Sequence, residues 1–122
     1  MATGRGLASW QEDTPAPLLP KEAAETLVMR PETGLLNARI DARMDAMMAA
    51  GALAEVRAVL PQWAPTRPWA RAIGAPELVA HLQGHLSLPD AVAAAKLATR
   101  QYAKRQRTWF RSRMGDWRAV FP

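Results

Sequence analysis

The run TRQYAKRQRTWFR, Thr99 to Arg111, holds five basic residues, three aromatic residues and no carboxylate. These two kinds of side chain do one sort of chemistry together. Guanidinium and ammonium groups neutralise phosphates and release condensed counterions, while aromatic rings stack on unpaired bases. Placed at 100° intervals on a helix, Lys96, Arg100, Lys104, Arg107 and Arg111 fall within an arc of about 80°, a stripe able to follow a phosphate backbone. The competing reading is a solvated basic face. Arg105 falls on the far side of the helix, so its loss is expected to leave the salt dependence of binding nearly intact and to affect folding if it pairs within the protein. Opposite the stripe lie Leu88, Val92, Ala95, Thr99, Tyr102, Gln106 and Trp109. That placement makes Tyr102 and Trp109 core residues of a packing face, with Phe110 at its margin; the alternative is that all three rings stack on unpaired bases.

Other residue sets carry less. Arg39 and Arg43, one turn apart, either hold an anion or pair with Asp41, Asp45 or Glu55. His81 and His85 have the i, i+4 spacing of a helical metal pair, but Gly84 interrupts them and a third ligand is missing, so no metal is expected. Met44, Met47 and Met48 read as core packing. No Ser-His-Asp set, paired catalytic carboxylates or glycine-rich phosphate loop emerges, so no catalytic residue is assigned. The absence of cysteine removes disulfides, thiolate metal sites and cysteine nucleophiles together, and fits a reducing, cytoplasmic setting. No apolar run reaches the roughly 18 residues of a membrane span, and the N-terminus lacks the apolar core of a signal peptide.

Charge placement sharpens the reading of the basic run. Of 16 basic residues, seven lie between Ala91 and Gly115, a segment without Asp or Glu, while all 11 acidic residues lie elsewhere. The whole excess of +5 therefore belongs to one segment, the footprint of a surface that meets a polyanion.

The elements that must position these residues are mainly helical. The 122 residues can bury one core, and β-branched and aromatic residues are too sparse for an all-β domain. Residues 1–31 read as an extended arm, with a short strand near 24–30 (Leu27, Val28, Met29) closed by Arg30-Pro31 and lacking an evident partner in this chain. Residues 32–122 read as a helical region, with helices over about 32–50, 52–60, 76–83 and 88–114. Gly51 and Gly84 stand as terminators, and Ser87-Leu88-Pro89-Asp90 is a capped start for the last helix, which would run about 40 Å.

The basic run closely resembles the C-terminal signature of the tRNA dimethylallyltransferases, or isopentenyl-tRNA transferases. The likeness extends to ATGRGLASWQ, to ARIDARMDAMMAAGALAEVRAVL and to RAIGAPEL, in the family's order. This resemblance implies transfer of a dimethylallyl group from its diphosphate to the exocyclic amine of an adenosine next to the anticodon. It implies the helical C-terminal region of a P-loop α/β transferase, the strand being left over from the parallel sheet of an N-terminal half. The family's phosphate loop and catalytic Asp belong to that half, so this chain is expected to be inactive alone, with magnesium and dimethylallyl diphosphate expected only of the complete enzyme and no cofactor in this chain. The family's tRNA contacts fall on the stretches matching Arg71, Ala72, Ile73, Gly74, Ala75 and Pro76, and Lys104, Arg105, Gln106, Arg107, Thr108, Trp109, Phe110 and Arg111. Ala75 stands where many members have an aromatic residue. Arg43 matches an arginine of the helix motif and is a candidate diphosphate ligand. The partners implied are tRNA and the N-terminal P-loop half, and not a membrane. A stand-alone basic helical module that binds nucleic acid is the alternative, and a basic helix lying on anionic membrane a third reading.

Overall fold

Capping side chains and glycines, more than a broad apolar stripe, punctuate this chain. A computed structural model describes residues 4–122, the side chain of Lys21 excepted. Among the described residues the order is α1 (Leu7–Glu12), β1 (Leu27–Met29), α2 (Thr33–Ala49), α3 (Ala52–Val59), α4 (Ala75–Leu82), α5 (Leu88–Arg113) and β2 (Arg118–Val120). Short 3-10 turns occupy Lys21–Ala23, Leu60–Gln62 and Pro68–Arg71. The mainly helical class expected from the sequence is the class found.

Helix α2 starts where Glu32, in extended geometry, turns its carboxylate back onto the N–H groups of Gly34 and Leu35 at 2.7 and 2.6 Å. Two of the donors that a helix start leaves without partners are thereby satisfied. Gly51, at φ +102°, reverses the chain into α3, a conformation that costs glycine little and other residues more. At the start of α4, Gly74 has φ +97° and donates its N–H to the Glu77 carboxylate at 3.1 Å. For α5, Ser87 Oγ accepts the Asp90 N–H at 3.2 Å and donates to the Asp90 carboxylate at 2.5 Å.

Helix α5 is the spine, packed against α4 and α2. Met44, Ala52, Leu78 and Ala95 form a buried cluster with Met48, Leu53, Val56, Leu88 and Val92 against it. Ala91 and Ala95 are fully enclosed, and their small size lets the neighbouring backbones approach α5. Of the three clustered methionines, Met44 is buried and Met48 packs on the core, but Met47 is exposed, so the expectation of a three-methionine core is corrected.

Strand β1 has a partner after all. β2 pairs with it in parallel, Leu27 opposite Arg118, Val28 opposite Ala119 and Met29 opposite Val120, with Arg118 N–H bonded to Thr26 O at 3.0 Å and Arg30 N–H to Val120 O at 2.7 Å. Parallel strands need a crossover, and here the entire helical body supplies it. A three-residue strand so distant in sequence leaves no local signal, which is why the sequence reading left β1 alone. The arm also differs from expectation. Leu7–Glu12 is helical although none of its residues is buried. Arg5 clasps it, lying 4.3 Å from the Trp10 ring centroid, donating to Ser9 O at 3.1 Å and pairing with Asp13. Such a side-chain clasp has no periodicity to read. Residues 1–3 of the expected arm lie outside the described residues.

Candidate nucleic-acid interface

Two stretches singled out in the sequence meet on α5. Gly74 sits so close that a Cβ built on it would lie 3.8 Å from Ala95 Cβ, which seats the turn before α4 directly on the spine. One groove of about 610 Å³ results, lined from α2 by Ile40, Arg43, Met44 and Met47, from the turn by Arg71, Ala72 and Ile73, and from α5 by Thr99 and Tyr102. Arg43 and Arg71, 28 positions apart in sequence, thus face one space with an apolar floor. Within the same turn Gly74 is buried, Ala75 half-buried and Pro76 exposed. Two of the three carboxylates expected to compete for Arg43 are taken: Asp41 accepts from Arg100 at 2.5 Å and Asp45 pairs with Lys96 at 2.6 Å.

Those two ion pairs divide the basic stripe. Lys96 and Arg100 strap α5 to α2 and are not free for a ligand. Pairs this exposed contribute at most about 1 kcal/mol each, so their effect is mainly one of position. Beyond Arg100 the helix leaves the core. Lys104, Arg105, Gln106, Thr108 and Arg111 are exposed, Arg107 and Phe110 are half-buried, and Thr108 Oγ1 donates to Lys104 O at 3.1 Å. Lys104 and Arg105 share one surface with Gln101, Thr108, Trp109 and Ser112.

Three readings of this helix are corrected by the packing. Tyr102 is 47% exposed and Trp109 52% exposed, so neither is a core residue. Trp109 instead meets Phe110 edge to face, with centroids 5.4 Å apart. Arg105 does not lie on a covered far side; it is exposed, and its guanidinium stands 5.8 Å from the Tyr102 ring centroid. The common cause is that the contacts of α5 rotate along its length. Ala95 packs with Leu78 of α4 and Met44 of α2, while Arg107, Phe110 and Arg111 face the β1 corner. The side that would continue the packing face beyond Thr99 is left open, bearing Tyr102, Arg105, Gln106 and Trp109. Tyr102 joins this surface although the sequence reading favoured a core place for it over base stacking; its position inside a carboxylate-free run was the signal for the other choice.

His81 Nδ1 lies 3.1 Å from Leu86 O, and among the described residues no three His, Cys, Asp or Glu side chains assemble around one point. No helix among them is long and apolar enough to cross a membrane.

A helical body wound on a parallel strand pair, carrying an open basic and aromatic helix face, is matched by a family model described as IPP transferase over residues 1–113. The chain belongs to this family, the tRNA dimethylallyltransferases, and corresponds to the C-terminal part of its members. It is 66% identical over 119 residues to the tRNA dimethylallyltransferase of Cereibacter sphaeroides, covering 98% of this chain and 38% of that protein. Its identity to the Roseobacter denitrificans enzyme is 62% over 122 residues, with 44% of that protein covered. The chain therefore spans less than half the length of these curated relatives. Among solved structures, the full-length tRNA isopentenylpyrophosphate transferase of Bacillus halodurans superposes with a TM-score of 0.72 at 29% identity, over 79% of this chain and 31% of that one. The Staphylococcus epidermidis tRNA delta(2)-isopentenylpyrophosphate transferase gives 0.68 at 32% identity, over 80% and 31%. Family membership does not favour a stand-alone module.

Proposed function

We propose that this chain is the tRNA-binding part of a tRNA dimethylallyltransferase, the enzyme that moves a dimethylallyl group from its diphosphate to the exocyclic amine of an adenosine next to the anticodon. The observation that carries this reading is the open face of α5, where Lys104, Arg105, Tyr102 and Trp109 stand uncovered beside the groove of Arg43 and Arg71, in a family whose members are named for tRNA. Lys104 to Arg111 along α5 and Arg71 to Pro76 from the turn before α4 contact the RNA, and Arg43 reaches toward the diphosphate end. The chain contains no G-x-x-x-x-G-K-[ST] motif. Dimethylallyl diphosphate, magnesium and the catalytic base accordingly belong to the phosphate-loop half of the enzyme, and these residues alone transfer nothing. That second half is its protein partner, docking along the strand pair. A tRNA substrate places the work in the cytoplasm.

Competition decides the matter. The chain should bind tRNA in preference to duplex DNA of equal length, and it should yield no dimethylallylated tRNA unless the phosphate-loop half is added. Equal displacement by DNA, or product from this chain alone in a preparation free of the complete enzyme, would overturn the reading.

A further inference from the structure

Arg107 is the one residue of the basic run whose surroundings are incomplete. It is half-buried, and its Nη1 is shut off from solvent without a hydrogen-bond acceptor among the described residues. A guanidinium stays charged at any pH a protein survives, so it cannot escape an enclosed position by losing its proton. A buried donor of this kind is costly until an acceptor arrives. The space beside it supplies room for one. Where β1, the start of α2 and the far half of α5 meet, a cavity of about 210 Å³ is lined by Arg30, Arg107 and Arg111, by Thr33, and by an apolar wall that includes Val28 and Phe110. Three arginines and no carboxylate line it among the described residues.

The placement of these arginines is built in. Arg30 is pinned by its N–H bond to Val120 O at 2.7 Å, so the β1–β2 pairing sets where its side chain starts. Pro31 then fixes the turn into α2. Glu32, the nearest acid in sequence, is committed to capping Gly34 and Leu35. Charge and donors converge here from three separate elements, and no carboxylate among the described residues lines the space to receive them.

We propose that this corner is a phosphate-oxyanion pocket in which Arg107, Arg30 and Arg111 take one phosphate group. The cavity suits an oxyanion rather than a whole nucleotide, and several guanidinium forks around one point match the oxygens of a phosphate better than lysines would. The pocket deepens the nucleic-acid reading above but differs from the open face of α5 in kind. Lys104 and Arg105 contribute screened, exchangeable charge, whereas the pocket holds one group by directed hydrogen bonds. Its phosphate comes either from an RNA backbone or from free phosphate, and the chemistry is the same.

Inorganic phosphate is the probe, titrated into the whole chain against chloride at matched ionic strength. Thermal unfolding and the arginine Nε–H resonances are followed together. Phosphate should raise the melting temperature saturably. Once it reaches ten times its Kd, the folded-to-unfolded ratio should rise about 11-fold over chloride. Arg107→Gln and Arg30→Gln should each abolish that gain, and Arg105→Gln should leave it intact. Should Arg107→Gln fail to fold, Arg30→Gln and Arg107→Lys carry the comparison, the latter keeping the charge but losing the fork. Equal melting in phosphate and chloride, or an equal loss in Arg105→Gln, overturns the pocket, even if tRNA binding stands. Addition of tRNA identifies the source: displacement of bound phosphate from Arg107 assigns the site to the RNA backbone, and simultaneous binding assigns it to free phosphate.

Discussion

Arg105 and Arg100, five residues apart on one helix, illustrate how position decides what a charge does. Arg100 is held by Asp41 at 2.5 Å, whereas Arg105 is exposed over the ring of Tyr102. Replacing Lys104 or Arg105 with Ala should therefore weaken tRNA binding evenly across sequences and flatten the slope of log affinity against log salt by about 0.7 to 0.9 per residue. Lys96→Ala and Arg100→Ala should leave that slope unchanged and lower stability instead. A salt titration of all four variants checks this, and equal slopes throughout would show that the division of the stripe is wrong. Glycine gives a second test at this scale. Gly51 and Gly74 both have φ near +100°, Gly51 with nothing within 4 Å of an added Cβ and Gly74 with only an ordinary contact. Alanine at either should cost about 1–2 kcal/mol from backbone conformation alone. Asparagine should recover part of that loss, as read by denaturant unfolding.

Among the elements, α2 depends most openly on pH. The N–H of Gly34, then that of Leu35, holds the Glu32 carboxyl below its ordinary range, against a smaller opposing effect of desolvation. A carboxyl depressed in the folded state stabilises the fold above its unfolded value of about 4.3 and loses that contribution as pH falls through the folded value. Helix α2 should thus fray at its first turn as pH drops below about 4, with loss of helical dichroism. Glu32→Gln should lower thermal stability at pH 7 and remove this part of the acid dependence; an unchanged acid limb would show that the cap is not formed in solution. Fraying at this end would also disturb Thr33 and Pro31, which line the arginine corner.

At the scale of the molecule, little is deeply enclosed. Among the described residues no large side chain is completely buried, and Leu27 and Met29 of β1, together with Val120 and Phe121 at the β2 end, stand exposed, Phe121 at 76%. A two-stranded parallel sheet with apolar residues uncovered is unusual, because parallel sheets are ordinarily covered on both faces. The isolated chain should consequently self-associate with rising concentration and unfold at a modest, concentration-dependent temperature. Light scattering and melting curves across a hundredfold range of concentration test this, and a sharp monomeric transition with a high midpoint would contradict it.

The sequence by itself determined the helical class, the capped start of α5 at Ser87, the glycine turns and the concentration of positive charge in one carboxylate-free segment. Each is a local matter, written in spacing, capping chemistry or composition. Its motifs also carried the family, because their order survives without coordinates. Tertiary structure alone decided which parts of the basic run remain available. Whether Lys96 and Arg100 are free depends on Asp45 and Asp41, brought alongside by the packing of α2 on α5. Whether Tyr102 and Trp109 are buried depends on where the neighbours of α5 end, and a helical wheel assumes one unchanging partner along the whole length. The pairing of β1 with β2, and the arginine corner beneath it, join residues from opposite ends of the chain. Only closure of that long loop around the helical body puts them in one place.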